Sequence, residues 1–153
     1  MKETIQRVWW KVPLYCVAAG YISWWLMVGY IGRLAIRKLP DGTITSDNQI
    51  WMLLSGMVFV IVLLVGGVLF FRKMTRKELL CSATVMFLLN VSLGVMAYVM
   101  PTSAVTFFAV EIAEWCSVIP QVFYQTGINP WIGEFAGWSA VYLFVLFGKK
   151  EAL

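Results

Sequence analysis

Three carboxylates set the chemical question. Glu111, Glu114 and Glu134 are the only acids between Glu78 and Glu151, and the first two lie in the apolar stretch "FFAVEIAEWCSVIPQ", Phe107 to Gln121. An ionisable side chain at membrane depth is costly to bury, so it marks a functional site or finds a way to water. If the three converge, their oxygens can hold a cation or a cationic substrate. If they do not, they stay hydrated and keep their segment at the membrane surface. A carboxylate pair is also what glycoside hydrolysis needs, but no sugar-binding pattern accompanies this one.

The other polar groups are few. Gln121 shares a helical stripe with Glu111 and Glu114 and joins them and Glu134 as a candidate ligand- or ion-binding residue. Asn90 is the one amide inside a long apolar run, where amides hydrogen-bond across helices or contact a substrate. Histidine is absent, which removes the commonest general base and metal ligand. Cys16, Cys81 and Cys116 have no C-x-x-C spacing, so they imply neither a disulfide framework nor a metal knuckle. No nucleotide-binding loop is present. These absences assign no catalytic residue, no metal and no cofactor, and they weigh against an enzyme. A lipid-modifying activity using Glu111 or Glu114 is the weakest reading.

The elements that position these groups are membrane spans. Of 153 residues, 61% are hydrophobic and 13% charged, against about 45–50% and about 25% in soluble domains. Apolar runs of spanning length cover 12–32, 50–71 and 79–100, and a shorter one covers 131–147. The first run is longer than a signal-peptide core and lacks a small-residue cleavage site, so it reads as a retained helix. Start signals precede three runs. "SDNQ" (Ser46 to Gln49) and "TRKE" (Thr75 to Glu78) fit capping boxes, and Asn129–Pro130 fits an N-cap followed by proline at the first helical position. "PDG", Pro40 to Gly42, marks a turn in the first loop. The fold predicted is an all-α integral membrane protein, a single polytopic domain over 1–153. It has four transmembrane helices in a bundle and an extracytoplasmic amphipathic or re-entrant segment over about 103–126.

Positive charge stays cytoplasmic. With four spans and both termini cytoplasmic, Lys2, Arg7, Lys11, Arg72, Lys73, Arg76, Lys77, Lys149 and Lys150 lie inside, leaving Arg33, Arg37 and Lys38 of the 12 outside. Five spans would export either the Lys149–Lys150 tail or the "RKMTRK" loop. Residues 101–130 then lie outside with no cation. Pro120 is expected to break that segment into two short helices meeting near Ile119–Pro120. Cys116 is expected in this outer segment, a membrane thickness from Cys16 and Cys81.

The arginines and lysines of "RKMTRK" (Arg72, Lys73, Arg76, Lys77) also suit anionic lipid headgroups. Gly133 and Gly137 form a G-x-x-x-G that serves packing within the chain or dimerisation. Trp9, Trp10, Trp51 and Trp131 flank spans as interfacial anchors, and Trp24–Trp25 are expected to be densely packed. Two functions follow. The first is a non-enzymatic accessory or interaction subunit of a membrane complex. The alternative is a channel or transporter protomer whose Glu111, Glu114 and Glu134 recruit cations. The partners expected are the lipid bilayer, other membrane subunits or copies of the chain, and no nucleic acid. The location expected is the cytoplasmic membrane, in a multi-pass arrangement.

Overall fold

A computed structural model of the protein describes residues 8–101 and 103–150. Lys2 and Arg7 of the cation count lie outside the described residues. The chain is mainly helical. Helix α1 spans Lys11–Gly29 and passes through a 3-10 turn, Ile31–Ala35. Helix α2 spans Asn48–Val65 and continues as π-helix over Gly66–Phe71. Helix α3 spans Arg76–Val99. Helices α4 (Ala104–Ala113) and α5 (Val118–Gln125) flank a 3-10 turn, Glu114–Cys116. Helix α6, Pro130–Ser139, runs on as 3-10 helix through Ala140–Phe147. Among the described residues four helices are long and apolar enough to cross a membrane: Lys11–Gly29, Asn48–Phe71, Arg76–Val99 and Pro130–Phe147. A fifth would be counted if the bent pair α4–α5 were one span.

Local chemistry explains the boundaries. The Thr75 hydroxyl accepts from the Glu78 N–H at 3.3 Å and the Glu78 carboxylate accepts from the Thr75 N–H at 2.8 Å, completing the capping box of α3. Asn129 caps α6 by accepting from the Trp131 N–H at 3.0 Å, with Pro130 at the first helical position. At α2 the cap is Asp47, not Ser46. Its carboxylate accepts from both Gln49 and Ile50 N–H, at 3.0 and 3.1 Å. An ionised acceptor holding two donors outcompetes a hydroxyl, and Ser46 is already paired in a strand. Thr75→Ala is expected to cost about 1 kcal/mol, the usual worth of an N-cap, read as an earlier midpoint in a denaturing-detergent titration.

The last span is short in sequence but not in space. Its second half rises about 2.0 Å per residue as 3-10 helix against about 1.5 Å for α-helix, so 18 residues cover about 31 Å, enough for a hydrocarbon core. The all-α expectation needs one correction. Strands β1 (Ile36–Lys38) and β2 (Ile44–Ser46) pair antiparallel in the first loop. β-Branched residues in both strands and the Pro40–Gly42 turn, with Gly42 at φ +86, make this hairpin. Thr43 donates its N–H and hydroxyl to Asp41 at 2.9 and 2.6 Å, and these bonds hold the Asp41 carboxyl below its ordinary range. Arg37 pairs with Asp47 at 2.7 Å, so one of the three cations of this loop is offset.

The bundle has two distinct ends. At one, the Lys149 N–H donates to the Met74 carbonyl and Arg76 to the Lys149 carbonyl. The Ser82 hydroxyl, one turn and a half into α3, joins the start of α1 by donating to the Trp9 carbonyl and accepting from the Val12 N–H. This terminal end carries Lys11, Arg72, Lys73, Arg76, Lys77, Lys149 and Lys150. The opposite end, here the β end, carries the strands, the start of α2, the close of α3 and the start of α6.

The bent pair begins just after α3 closes, and it finishes with Tyr124 and Gln125 beside Asn48 and Trp51. It therefore enters and leaves at the β end. Its two arms meet at 86°. The apex carries Ile112, Trp115 and Cys116, all buried in the main core with Cys16, Met86, Val141 and Phe144. Trp115 stacks on Phe59 (5.8 Å, 12°) and meets Phe144 at 5.7 Å.

Two expectations fall here. The break lies at 114–117, not at Ile119–Pro120. Pro120 is the third residue of α5, inside the first turn, where a missing N–H loses no bond. Cys116 is not a membrane thickness from Cys16: both are buried in one hydrophobic cluster. All three cysteines are free thiols. The core can admit this apex because Gly20 on α1 lies against the carbonyls of Glu111 and Ile112, with no room for a Cβ. Gly133 and Gly137 receive Pro120 and Phe123 of α5, so the G-x-x-x-G packs within the chain. Trp25 is not densely packed: it is half exposed on the bundle exterior beside Tyr30.

Candidate functional site

Bending the segment at 114–117 has a chemical consequence. Glu114 comes off the apex and meets the flank of α6, where Glu134 lies one turn in from the Asn129 cap. Both line a cavity of about 350 Å³ enclosed by α3, the bent pair and α6. Asn90 of α3 forms part of its lining at the deep end. Tyr98 and Trp131, rings 5.3 Å apart and close to edge-to-face, mark the β end. From Asn90 to Tyr98 the cavity runs about 12 Å along α3 at 1.5 Å per residue. Trp138, Ser117 and Pro120 are among its other lining residues.

The polar groups are unevenly satisfied. Ser117 donates to the Glu114 carboxylate at 3.3 Å. Among the described residues no ion pair within 4.0 Å is formed by Glu114 or Glu134. Asn90 is 4% exposed, and its side-chain nitrogen has no hydrogen-bond partner. The interhelical hydrogen bond expected of this amide is thus not made. A buried donor without a partner costs about 1–3 kcal/mol, and such a group is retained where something else satisfies it.

The sequence candidates separate accordingly. Glu114, Glu134 and Asn90 are brought together. Glu111 is not: it is half-buried on α4 and absent from the cavity wall, while its carbonyl faces Gly20. Gln121 faces away, into a shallow depression with Asn48, Trp51, Tyr124 and Gln125. The single stripe expected of Glu111, Glu114 and Gln121 is divided by the break. Among the described residues no three side chains of metal-ligating type converge. Ser117, Tyr98, Trp131 and Trp138 were not singled out from the sequence as parts of this site. A hydroxyl three residues after Glu114 was the available signal for Ser117; the aromatic wall had none.

Two further surfaces bear on function. Arg72, Lys73, Arg76 and Lys77 are exposed at the terminal end, and the Arg76 guanidinium reaches the Gly148 carbonyl at 3.4 Å. Between α1 and α2 lies an apolar groove of about 740 Å³, walled by Leu14, Ile22, Leu26, Ile61, Val65 and Phe70. The Tyr15 hydroxyl crosses it to the Val62 carbonyl at 2.7 Å. No protein-family model matches the chain, and no curated protein or solved structure is detectably similar to it.

Proposed function

We propose that the chain is a multi-pass protein of the cytoplasmic membrane with four spans and both ends cytoplasmic, and that it works as a channel or transporter protomer that recruits cations at an extracytoplasmic acidic cavity. The observation that carries this is the meeting of Glu114 of the bent pair and Glu134 of α6 in one cavity. The orientation is supported by the cations gathered at the terminal end. Lipid headgroups of the same side suit Arg72, Lys73, Arg76 and Lys77. The bent pair is read as a re-entrant segment. Irregular backbone at membrane depth is tolerated where protein surrounds it, and the Ser117 N–H still reaches the Glu114 carbonyl across the break at 3.1 Å.

Thermal unfolding in detergent tests the site. A panel of inorganic and organic cations at pH 7.5 should include members that raise the melting midpoint of the wild type and of Glu111→Gln, because binding to the native state stabilises it by mass action. The Glu114→Gln/Glu134→Gln double variant should not respond. Equal responses in wild type and double variant would remove the proposal.

The accessory-subunit function is the second reading, favoured by the groove between α1 and α2, which a partner's apolar helix would fill. A stoichiometric partner retained in mild detergent, and lost when Ile22 and Ile61 are both replaced by tryptophan, would support it.

A further inference from the structure

The groove between α1 and α2 is shaped for a chain rather than for a helix. From Trp10 to Leu26 it follows α1 for about 24 Å at 1.5 Å per residue. Its volume of about 740 Å³, spread over that length, leaves a cross-section of about 30 Å². A helix with its side chains is about 10–12 Å across, or about 80–110 Å² in section, so a partner helix enters only by its side-chain tips. Carbon atoms pack at about 3.5–4.0 Å, which gives a polymethylene chain roughly 15–20 Å² and leaves room for one or two. The floor at the terminal end is carbon. The Tyr15 ring lies against Gly66, 5.3 Å from the rings of both Phe70 and Phe71, and its hydroxyl donates to the Val62 carbonyl. Charge is confined to that same end. Lys11 is the only charged residue among those lining the groove, and it stands there with Trp10. From the facing wall, Phe71 leads directly into Arg72. Both cations are exposed, and no acid lines the groove.

We infer that the groove holds a phospholipid with a net negative headgroup, its acyl chain lying between α1 and α2 and its phosphate at the terminal end between Lys11 and Arg72. The two cations reach that mouth from opposite walls, so the headgroup is gripped from both sides. A guanidinium also matches phosphate geometry with paired donors. Trp10, half exposed at the same mouth, suits the boundary between acyl chain and headgroup. The acyl chain fills a slot that the protein leaves open, each buried methylene contributing about 0.8 kcal/mol. The inference is independent of the acidic cavity and gives the groove a lipid in place of the partner helix of the second reading.

Native mass spectrometry of the delipidated full chain in detergent tests it, with dioleoylphosphatidylglycerol and dioleoylphosphatidylcholine as probes. The wild type should saturate at one phosphatidylglycerol per chain and hold it about thirtyfold more tightly than phosphatidylcholine, the worth of two cations at about 1 kcal/mol each. Lys11→Gln/Arg72→Gln should bind the two lipids equally, with phosphatidylcholine unchanged, an outcome that a folding defect does not imitate. Arg33→Gln, at the β end, should keep the preference. Ile22→Trp/Ile61→Trp fills the groove from two side chains that are more than half exposed, and it should lose both lipids. Leu88→Trp, exposed on α3 and outside the groove, should lose neither. Glycerol 3-phosphate should not displace the lipid, because it lacks the chain. Equal affinities in the wild type, or a preference that survives Lys11→Gln/Arg72→Gln, would overturn the anionic headgroup. Unchanged lipid occupancy in Ile22→Trp/Ile61→Trp would overturn the groove as its seat. A stoichiometric protein that displaces the lipid from the wild type, and is itself lost in that variant, would overturn the lipid in favour of a partner.

Discussion

Replacing Trp115 by alanine is expected to cost about 3–5 kcal/mol, the range for emptying a buried aromatic site. Trp115 is fully buried at the apex of the bent pair, between Phe59 and Phe144. Its indole N–H has no partner. Trp115→Phe keeps the ring contacts and removes that orphan donor, so it is expected to cost much less. The two variants together distinguish a re-entrant segment from a helix lying on the membrane surface. On a surface helix both would fall within about 0.5 kcal/mol of the wild type. Denaturing-detergent titrations read by circular dichroism give the comparison. A Trp115→Ala midpoint equal to that of the wild type would place the segment outside the core.

Gly20→Leu is expected to have the second large effect. A Cβ at this position would meet the carbonyl oxygens of Ile112 and Glu111. Backbone cannot yield as a side-chain tip does, so either α1 or the bent pair must move. Overpacking of this kind costs about 1–3 kcal/mol and more where relaxation is blocked. The expected readout is loss of a monodisperse peak in size-exclusion chromatography, together with loss of the cation response. Gly29→Leu is the control: nothing lies within 4 Å of a Cβ there, so its profile should match the wild type. Equal behaviour of the two variants would mean that α1 and the apex are not in contact.

The parts legible in the sequence were those governed by nearest neighbours. Thr75 with Glu78, and Asn129 with Pro130, form their caps from residues within one turn, so spacing alone locates them. Four long apolar runs became four helices for the same reason. Ser46 was preferred to Asp47 because the capping-box pattern cannot show that Ser46 pairs with Ile36 in a strand. The break was read at Pro120 because proline removes a donor, yet in the first turn of α5 that donor has no acceptor to lose. The true break at 114–117 contains no glycine or proline. It is set by tertiary contacts: Trp115 against Phe59 and Phe144, and Gly20 against Ile112. Those same contacts decide which acids meet. Glu111 and Glu114 look equivalent at three residues' spacing, and only the bend sends one to Glu134 and leaves the other behind. The 3-10 stretch that lengthens the last span was likewise invisible to a count of apolar residues.

Accessibility of residue 117 from the extracytoplasmic side is the most direct test. Ser117 lies at the apex, lines the cavity and donates to Glu114. In a chain with Cys16, Cys81 and Cys116 replaced by alanine, Ser117→Cys should react in intact cells with a small cationic, membrane-impermeant thiol reagent. Lys73→Cys should react only after the cells are permeabilised. Modification of Ser117→Cys only after permeabilisation, with Lys73→Cys reacting in intact cells, would contradict the orientation. No modification of Ser117→Cys from either side would contradict the open acidic cavity on which the proposed function depends.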